Sequence, residues 1–190
     1  MPQLELFQER VGVCVIDIQE RLAATMPEKV LKGTLRNWLN LIETARVLSL
    51  SAAVSEQQPK GLGRSLPVVA ESVLRLPRSQ VYFFEKQAFS CGAVDEFNQF
   101  IRRSGCKQWV LAGMETHIAV FQTARALVSA GYTVHVPRDA VISRTMANWE
   151  IGLKLIEQSG AVVSCTEAVI FDLVKRSDTE AFQALSRIVK

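Results

Sequence analysis

The chain lacks the residue clusters that build metal centres or disulfide frameworks. It contains two histidines, His117 and His135, and four cysteines, none of which forms a Cys-x-x-Cys pair. Because zinc needs several Cys, His or carboxylate ligands close together, no metal site is expected, and no motif indicates another cofactor. Unpaired cysteines in apolar runs are usually small buried hydrophobic residues in a reducing compartment, and we expect that role here.

Long apolar runs and a concentrated positive charge are also missing. No run approaches the ~20 apolar residues needed to span a bilayer, and residues 1–5 do not resemble the start of a signal peptide. The net charge is only +3 at pH 7, and lysine and arginine are scattered along the chain. We therefore expect a cytoplasmic protein that binds neither membranes nor nucleic acid.

What the sequence does contain is enough apolar material for one folded domain. Its 190 residues are 48% hydrophobic and 22% charged, as in an ordinary globular protein. It shows no internal repeat, low-complexity segment or second domain. The sequence therefore predicts a single domain over residues 1–190.

Short β-branched runs alternate with longer segments of helical periodicity. Strands are predicted at 11–16, 52–55, 81–84, 109–112, 133–137 and 162–164. Helices are predicted at 28–48, 90–103, 117–130 and 149–159. Two more are predicted, one capped by Thr166 and one starting at residue 179, and residues 59–63 are predicted to form a loop. Apolar strands separated by helices predict a three-layer α/β/α domain with a six-stranded, mostly parallel sheet.

Three polar features each follow a predicted strand. Asp17 follows the first strand, Lys86 the third, and the segment 113–119 the fourth. Ligands of such sheets bind outside the carboxyl ends of the strands, so these features are expected to meet in one cleft. If each residue is considered alone, the simplest interpretation of Asp17 is a loop carboxylate and that of Lys86 is a surface lysine. Together they suit a general base and a cation that holds it ionised or stabilises developing negative charge.

The segment 113–120 leads from a strand into the first turn of a helix. A cysteine in such a turn would have a lowered pKa, because exposed N–H groups and the helix dipole favour its thiolate. The same N–H groups could form an oxyanion hole. This chain carries Ala119 in that turn, and alanine offers packing and no nucleophile.

Together these motifs resemble the isochorismatase-like cysteine hydrolases, most closely a branch of small isochorismatase-domain proteins. The resemblance runs in order along the chain and also includes 55–63, Phe89-Ser90, Asp139-Ala140, Ser143-Arg144 and Thr166-Glu167. It implies that Asp17 takes a thiol proton, that Lys86 supports the reaction, and that Ala119 occupies the position of the nucleophilic cysteine. It also implies a cis peptide bond between Met114 and Glu115.

The resemblance further implies the surroundings of the reacting group. The backbone at Glu115 and Ala119 is expected to supply the oxyanion hole. The substrate pocket is expected to include the side chains Gln19, Gln58, Phe89, His117 and Ile118. Nicotinamidases of this superfamily bind a metal through a histidine where this chain has Gln58, so the resemblance implies no metal here. It does imply a small-molecule ligand and a homodimer or larger homo-oligomer, for which Trp38, Trp149 and Phe171 are apolar candidates.

Two functional interpretations stay open. The chain is a hydrolase acting on a small amide, ester or vinyl ether, the last of which needs a proton donor such as Asp17 rather than a thiol. Alternatively, it is an inactive relative that binds a ligand or serves as an oligomeric scaffold. Ala119 is either a natural loss or an engineered Cys→Ala change, and drift at Gln58 and Gln87-Ala88 favours natural loss. Cys91, near a predicted helix start, is a third idea for the nucleophile, against the more ordinary role of a packing cysteine.

Overall fold

The computed structural model describes residues 3–189, and in this range seven parallel strands form one sheet. The order across the sheet is β3-β2-β1-β4-β5-β7, with the short β6 pairing with the end of β4. The bounds are β1 Val11–Ile16, β2 Ser51–Gln57, β3 Val81–Lys86, β4 Gln108–Met114, β5 Thr133–Pro137, β6 Val141–Ile142 and β7 Val162–Ser164. The six predicted strands are confirmed. The strand that was not predicted, β6, has only two residues, too few to leave a periodic pattern.

The two central strands explain the continuous apolar runs in the sequence. Every residue of β1 and of β4 is buried, because these strands pair with each other and carry helices on both faces. Side chains of β1 alternate between two apolar clusters, with Val13 and Val15 in one and Cys14 and Ile16 in the other. The three-layer α/β/α prediction is therefore confirmed.

Helices cover both faces of the sheet. The cluster containing Val13 includes side chains from α2, α8 and α9, and the cluster containing Cys14 includes side chains from α5, α6 and α7. The bounds are α1 Glu20–Ala23, α2 Glu28–Val47, α3 Pro59–Leu62, α4 Pro67–Val73, α5 Asp95–Arg103, α6 Phe121–Ser129, α7 Met146–Gln158, α8 Thr166–Val174 and α9 Glu180–Val189. No helix within residues 3–189 has both the length and the apolar character that crossing a membrane demands.

Several local predictions were wrong for identifiable reasons. The predicted loop at 59–63 contains the single helical turn α3, and α4 was not predicted at all. Each of these helices begins with a proline, which suits a first helical turn because no N–H is lost there. Ser90 caps a short 3-10 turn, Cys91–Ala93, and α5 begins only at Asp95.

The predicted cap at Thr166 is displaced by one residue. Thr166 is the first residue of α8, and its N–H and hydroxyl both donate to the carboxylate of Asp139, at 2.8 and 2.9 Å. Asp139, distant in sequence, thus supplies the acceptor that a local capping side chain would otherwise provide.

Candidate active site at the carboxyl edge of the sheet

Asp17 and Lys86 meet across the end of an intervening strand. Asp17 follows β1 and Lys86 ends β3, while β2 lies between these two strands. The Lys86 Nζ atom lies 2.6 Å from Asp17 Oδ2. The long lysine side chain therefore bridges the carboxyl end of β2, and the expected salt bridge between these two residues forms.

Lys86 is fixed by three acceptors. Besides Asp17, its ammonium donates to the side-chain oxygen of Gln57 at 2.9 Å and to the backbone oxygen of Phe89 at 2.9 Å. An ammonium has three N–H donors, so all three are satisfied. The Lys86 side chain is buried, which rules out the surface-lysine interpretation. Gln57 ends β2, and no role for it was predicted from the sequence.

Asp17 is equally enclosed. The hydroxyl of Ser55 donates to Asp17 Oδ1 at 2.6 Å, and the residue adopts a φ of 51°, which is uncommon outside glycine. Burial raises the pKa of the Asp17 carboxyl above its ordinary value, outweighing the opposing effects of the Lys86 charge and of the hydrogen bonds from Lys86 and Ser55. A carboxyl with a raised pKa can exchange a proton closer to neutral pH than an exposed aspartate.

Gln19 holds the surrounding backbone together. Its side-chain oxygen accepts from the Gln57 N–H at 2.7 Å, and its amide donates to the carbonyl oxygens of Gln57 and Gly63 at 3.0 and 2.7 Å. These bonds clamp the end of β2 to the chain after β1. The predicted pocket residue Gln58 is exposed, has a φ of 37°, and donates its N–H to the Lys86 carbonyl oxygen at 3.0 Å.

The segment after β4 lies directly beside the chain that carries Asp17. Ile16 pairs with Gly113, which has a φ of 130°, and a Cβ atom at Gly113 would lie 2.0 Å from the Ile16 carbonyl oxygen. The Met114–Glu115 peptide bond is cis, as the resemblance implied. Only glycine permits the close approach of the backbone at position 113 to the carbonyl oxygen of Ile16.

Glu115 has a structural role that was not predicted. Its buried carboxylate accepts from the backbone N–H of Arg144 at 3.0 Å and from the Arg144 Nε at 3.1 Å. His117 Nδ1 lies 3.0 Å from the hydroxyl of the neighbouring Ser143. The pair Ser143-Arg144 was noted in the sequence only as part of the family resemblance. In the structure it anchors the segment that follows Gly113.

The residues around Ala119 form a π-helical turn, Thr116–Val120, that leads into α6. Ala119 is 3% exposed and packs in the apolar cluster that also contains Cys14, Ile16 and Cys91. Ile118 is half-buried. The hydroxyl of Thr116 is buried and has no hydrogen-bond partner among residues 3–189, which is unusual for a buried polar group. Nothing in the sequence predicted that the Thr116 hydroxyl would be buried and unpaired.

The two charged residues of the candidate site are far more buried than the predicted pocket residue Phe89. Asp17 is 2% exposed and Lys86 3%, whereas the predicted pocket residue Phe89 is 53% exposed. Two of the larger surface cavities, about 610 and 480 Å³, lie elsewhere, beside the junction of α2 and α9 and between α7 and β7. Asp17 and Lys86 therefore lie beneath the surface, whereas the side chain of Phe89 is exposed.

Position 119 supplies no nucleophile. Asp17 is a buried carboxyl with a raised pKa beside the Lys86 ammonium, and a carboxyl of this kind is chemically suited to general acid–base catalysis. Among residues 3–189, no group of three or more His, Cys, Asp and Glu side chains is placed to hold a metal ion.

Known families and relatives match most of the chain. A model of the isochorismatase domain matches residues 11–168. The secreted isochorismatase effector Isc1 of Phytophthora sojae is 32% identical over 181 residues, covering 93% of this chain and 82% of its own length. Isochorismatase domain-containing protein 1 of Danio rerio is 29% identical over 174 residues, covering 92% of this chain. The chain spans only 59% of that relative's length.

Two solved structures share the fold. The MAR1 ribonuclease of Caenorhabditis elegans superposes with a TM-score of 0.89 and 30% identity, covering 97% of this chain and 92% of its own. The YcaC gene product of Escherichia coli, described as an octameric hydrolase of unknown specificity, superposes with a TM-score of 0.87 and 18% identity. It covers 99% of this chain and 92% of its own.

Proposed function

Because the chain belongs to the isochorismatase family, we propose that it binds a small amide, ester or vinyl ether in a cleft formed by Asp17, Lys86 and the segment 113–119. The observation that carries this proposal is the buried 2.6 Å contact between the Lys86 ammonium and the Asp17 carboxylate. Burying two charges is costly, and a chain without a use for them gains as much stability from apolar residues.

The proposed chemistry depends on the bond that the ligand presents. Attack on an amide or ester carbonyl would need a thiolate, and Ala119 supplies none, so this chain holds such compounds without forming an acyl intermediate. Cleavage of a vinyl ether needs a proton on carbon followed by addition of water. Asp17 is the proposed proton donor, and its raised pKa supports this assignment.

The proposed ligand lies between Lys86 and the turn at Ala119. The backbone N–H groups of Glu115 and Ala119 are the proposed donors to its oxygen atom. Phe89, His117 and Ile118 are the proposed contacts to its apolar part, and the exposure of Phe89 leaves its ring available.

Phe89→Ala tests the binding proposal on the chain as it exists. We expect at least one member of a panel of small amides, esters and vinyl ethers to bind, and the variant to bind it about tenfold more weakly, equivalent to about 1.4 kcal/mol. Ligand-observed NMR titration measures both dissociation constants. Phe83→Ala is the matched control, because Phe83 is also exposed but lies within the edge strand β3.

Two results would contradict the proposal. One is that no panel member binds, which would favour the inactive-scaffold interpretation. The other is that Phe83→Ala weakens binding as much as Phe89→Ala does. A short single-stranded RNA is titrated separately from this panel, because the Caenorhabditis elegans neighbour is named a ribonuclease. The scattered basic residues of this chain lead us to expect no RNA binding.

The chain is also proposed to form a homo-oligomer. The description of the Escherichia coli neighbour as an octamer supports this, although that protein is only 18% identical. Of the apolar candidates named from the sequence, Trp38 is buried and donates to the Ala140 carbonyl oxygen, so it is no interface residue. Met146 and Ile151 of α7 are exposed instead. We expect light scattering to give a mass at least twice 21.1 kDa, and a monomer mass at micromolar concentration would contradict the proposal.

A further inference from the structure

The sheet has an open edge at β3. Within residues 3–189, β3 pairs with β2 on one side and with no strand on the other. The carbonyl oxygen of Lys86 accepts a hydrogen bond from the chain directly after β2, so Lys86 directs its backbone polar groups toward β2. Because these groups alternate in direction along a strand, Val81, Phe83 and Glu85 direct theirs away from the sheet. These three residues can therefore bind another strand.

This edge lacks most of the features that prevent strands from pairing. Natural edge strands are protected by proline, by outward lysine side chains or by a bulge. β3 contains no proline, pairs with β2 in unbroken register, and buries its single lysine, Lys86, against Asp17. Its exposed charge, Glu85, already forms a 2.7 Å salt bridge with Arg64. The Phe83 side chain is 42% exposed, so the open edge also presents an aromatic ring to solvent.

The residues of β3 are complementary to themselves in an antiparallel pair. Tyr82, Phe83 and Phe84 are consecutive aromatic residues. In a pair centred on Phe83, this residue lies opposite Phe83 of the second copy, and Tyr82 lies opposite Phe84 of the second copy. Aromatic residues directly opposite each other on neighbouring strands stabilise a sheet. Tyr82 and Phe84 of one chain already stack, with ring centroids 5.7 Å apart, so a second copy would extend an existing aromatic cluster.

The charges around β3 agree with the same arrangement. Arg75 and Arg78 precede the strand and are exposed, while the exposed Glu85 lies near its end. A twofold axis places the basic start of one β3 beside the acidic end of the other. The opposite edge strand, β7, has only three residues, and a contact between β3 and β7 would join two copies head to tail without closing. A second copy paired through β3 is therefore the occupant that fits this edge.

We propose that two copies of this chain dock through β3, in an antiparallel pair centred on Phe83 that joins their sheets. Each Phe83 then donates its N–H to, and accepts from, Phe83 of the second copy. Each Glu85 N–H donates to the Val81 carbonyl oxygen of the other copy. The Val81 N–H stays within its own chain, where it donates to the Arg78 carbonyl oxygen. This inference rests on the proposed homo-oligomer, whose interface it names, and it does not depend on the proposed ligand.

Light scattering of matched variants at micromolar concentration tests the interface. Phe83→Lys places two ammonium groups beside the twofold axis, so we expect it to weaken association at least roughly a hundredfold and to lower the mass at least twofold. Phe83→Tyr keeps the aromatic pair and should keep the mass of the parent. Ile151→Lys is the control, because Ile151 is a similarly exposed apolar residue on α7, and it should leave the β3 pair intact. Circular dichroism checks that each variant is folded.

Amide hydrogen exchange provides a second readout that needs no variant. In the parent chain, the N–H groups of Phe83 and Glu85 should exchange at least about tenfold more slowly at concentrations that favour association than after dilution to the monomer. The N–H of Ala88, an exposed residue after β3, should exchange at the same rate in both samples. NMR measures these rates residue by residue, so protection by strand pairing is distinguished from association through another face.

The possible results separate the interface from the oligomer itself. A parent chain that is monomeric at micromolar concentration would contradict both the homo-oligomer and the β3 interface. An oligomer that is lost in Ile151→Lys and retained in Phe83→Lys would keep the homo-oligomer and overturn the β3 interface in favour of α7. Equal exchange of the Phe83 and Glu85 N–H groups in the associated and diluted parent would also overturn pairing through β3.

Discussion

Replacing Ala119 by cysteine is expected to raise the turnover of small amides or esters by at least roughly a hundredfold over the parent chain. The parent is expected to show negligible turnover because an alanine methyl group cannot attack a carbonyl carbon. The new thiol would lie in the turn Thr116–Val120, in the same apolar cluster as Ile16, the residue that precedes Asp17.

The expected gain rests on the proposal that Asp17 and Lys86 serve the reaction. Lys86 and Asp17 are already buried in contact with each other, so the proposed base and its cation are in place before a thiol is added. In the proposed cleft, Asp17 takes the proton of the new thiol, which makes the thiolate the nucleophile. The cysteine side chain is larger than alanine by a single sulfur atom, which keeps the packing disturbance small.

Steady-state hydrolysis of a substrate panel by matched variants measures this effect. Ala119→Ser provides a weaker nucleophile of similar size and should gain much less. Adding Lys86→Met to the cysteine variant should remove most of the gain, with circular dichroism confirming that the double variant is folded. Equal turnover by the parent and by Ala119→Cys would place any chemistry elsewhere. Binding in the Phe89 experiment without a gain here would mean that a ligand site exists but is not a dormant acyl-transfer site.

Gly113→Ala is expected to abolish folding or to cost more than about 4 kcal/mol, the upper end for single substitutions. The added Cβ atom would lie 2.0 Å from the Ile16 carbonyl oxygen, in the neighbouring central strand. Neither strand can retreat, because both are buried and paired on two sides. The φ of 130° adds a second penalty, since side chains other than glycine avoid that region.

Two further glycine variants separate the effect of the steric clash from the effect of the positive φ. Gly105→Ala places a side chain at a positive φ of 72° with no atom within 4 Å, so it should cost only about 1–3 kcal/mol. Gly33→Ala, in the exposed interior of α2 with no atom nearby, should stabilise the protein by about 0.5–1 kcal/mol. Soluble yield and urea unfolding measure the series. A soluble, normally stable Gly113→Ala protein would show that β1 and the end of β4 do not approach as described.

The strands of this protein could be predicted from sequence because burial on both faces leaves a simple signature. The apolar run 11–16 and the run 109–112 have no polar interruptions, and both are central strands in the structure. The short helix α3 escaped prediction because Pro59, taken as a helix breaker, occupies its first helical position. Residues 67–73, which form α4, carried no prediction. β6 has only two residues and takes its pairing from the end of β4.

The candidate site was predictable in outline and not in detail. Asp17, Lys86 and the segment after Gly113 follow strands that the sequence marks, and a parallel sheet brings such ends to one edge. Lys86 reaches Asp17 across β2 because β2 lies between β3 and β1 in the sheet. A local sequence pattern does not predict this strand order. The contact of Gln57 with Lys86 and the pairing of Glu115 with Arg144 each join residues 29 positions apart.

The sequence by itself determined the layers of this protein, the edge at which its polar residues meet, and the absence of a thiol at position 119. These follow from local chemistry, namely periodicity, proline and glycine placement, and side-chain identity. Only the tertiary structure decided that Asp17 and Lys86 are buried together and that the Gln19 side chain holds the end of β2 to the chain after β1. Burial, pKa and pairing are properties of neighbours in space, and those neighbours come from strands that are distant along the chain.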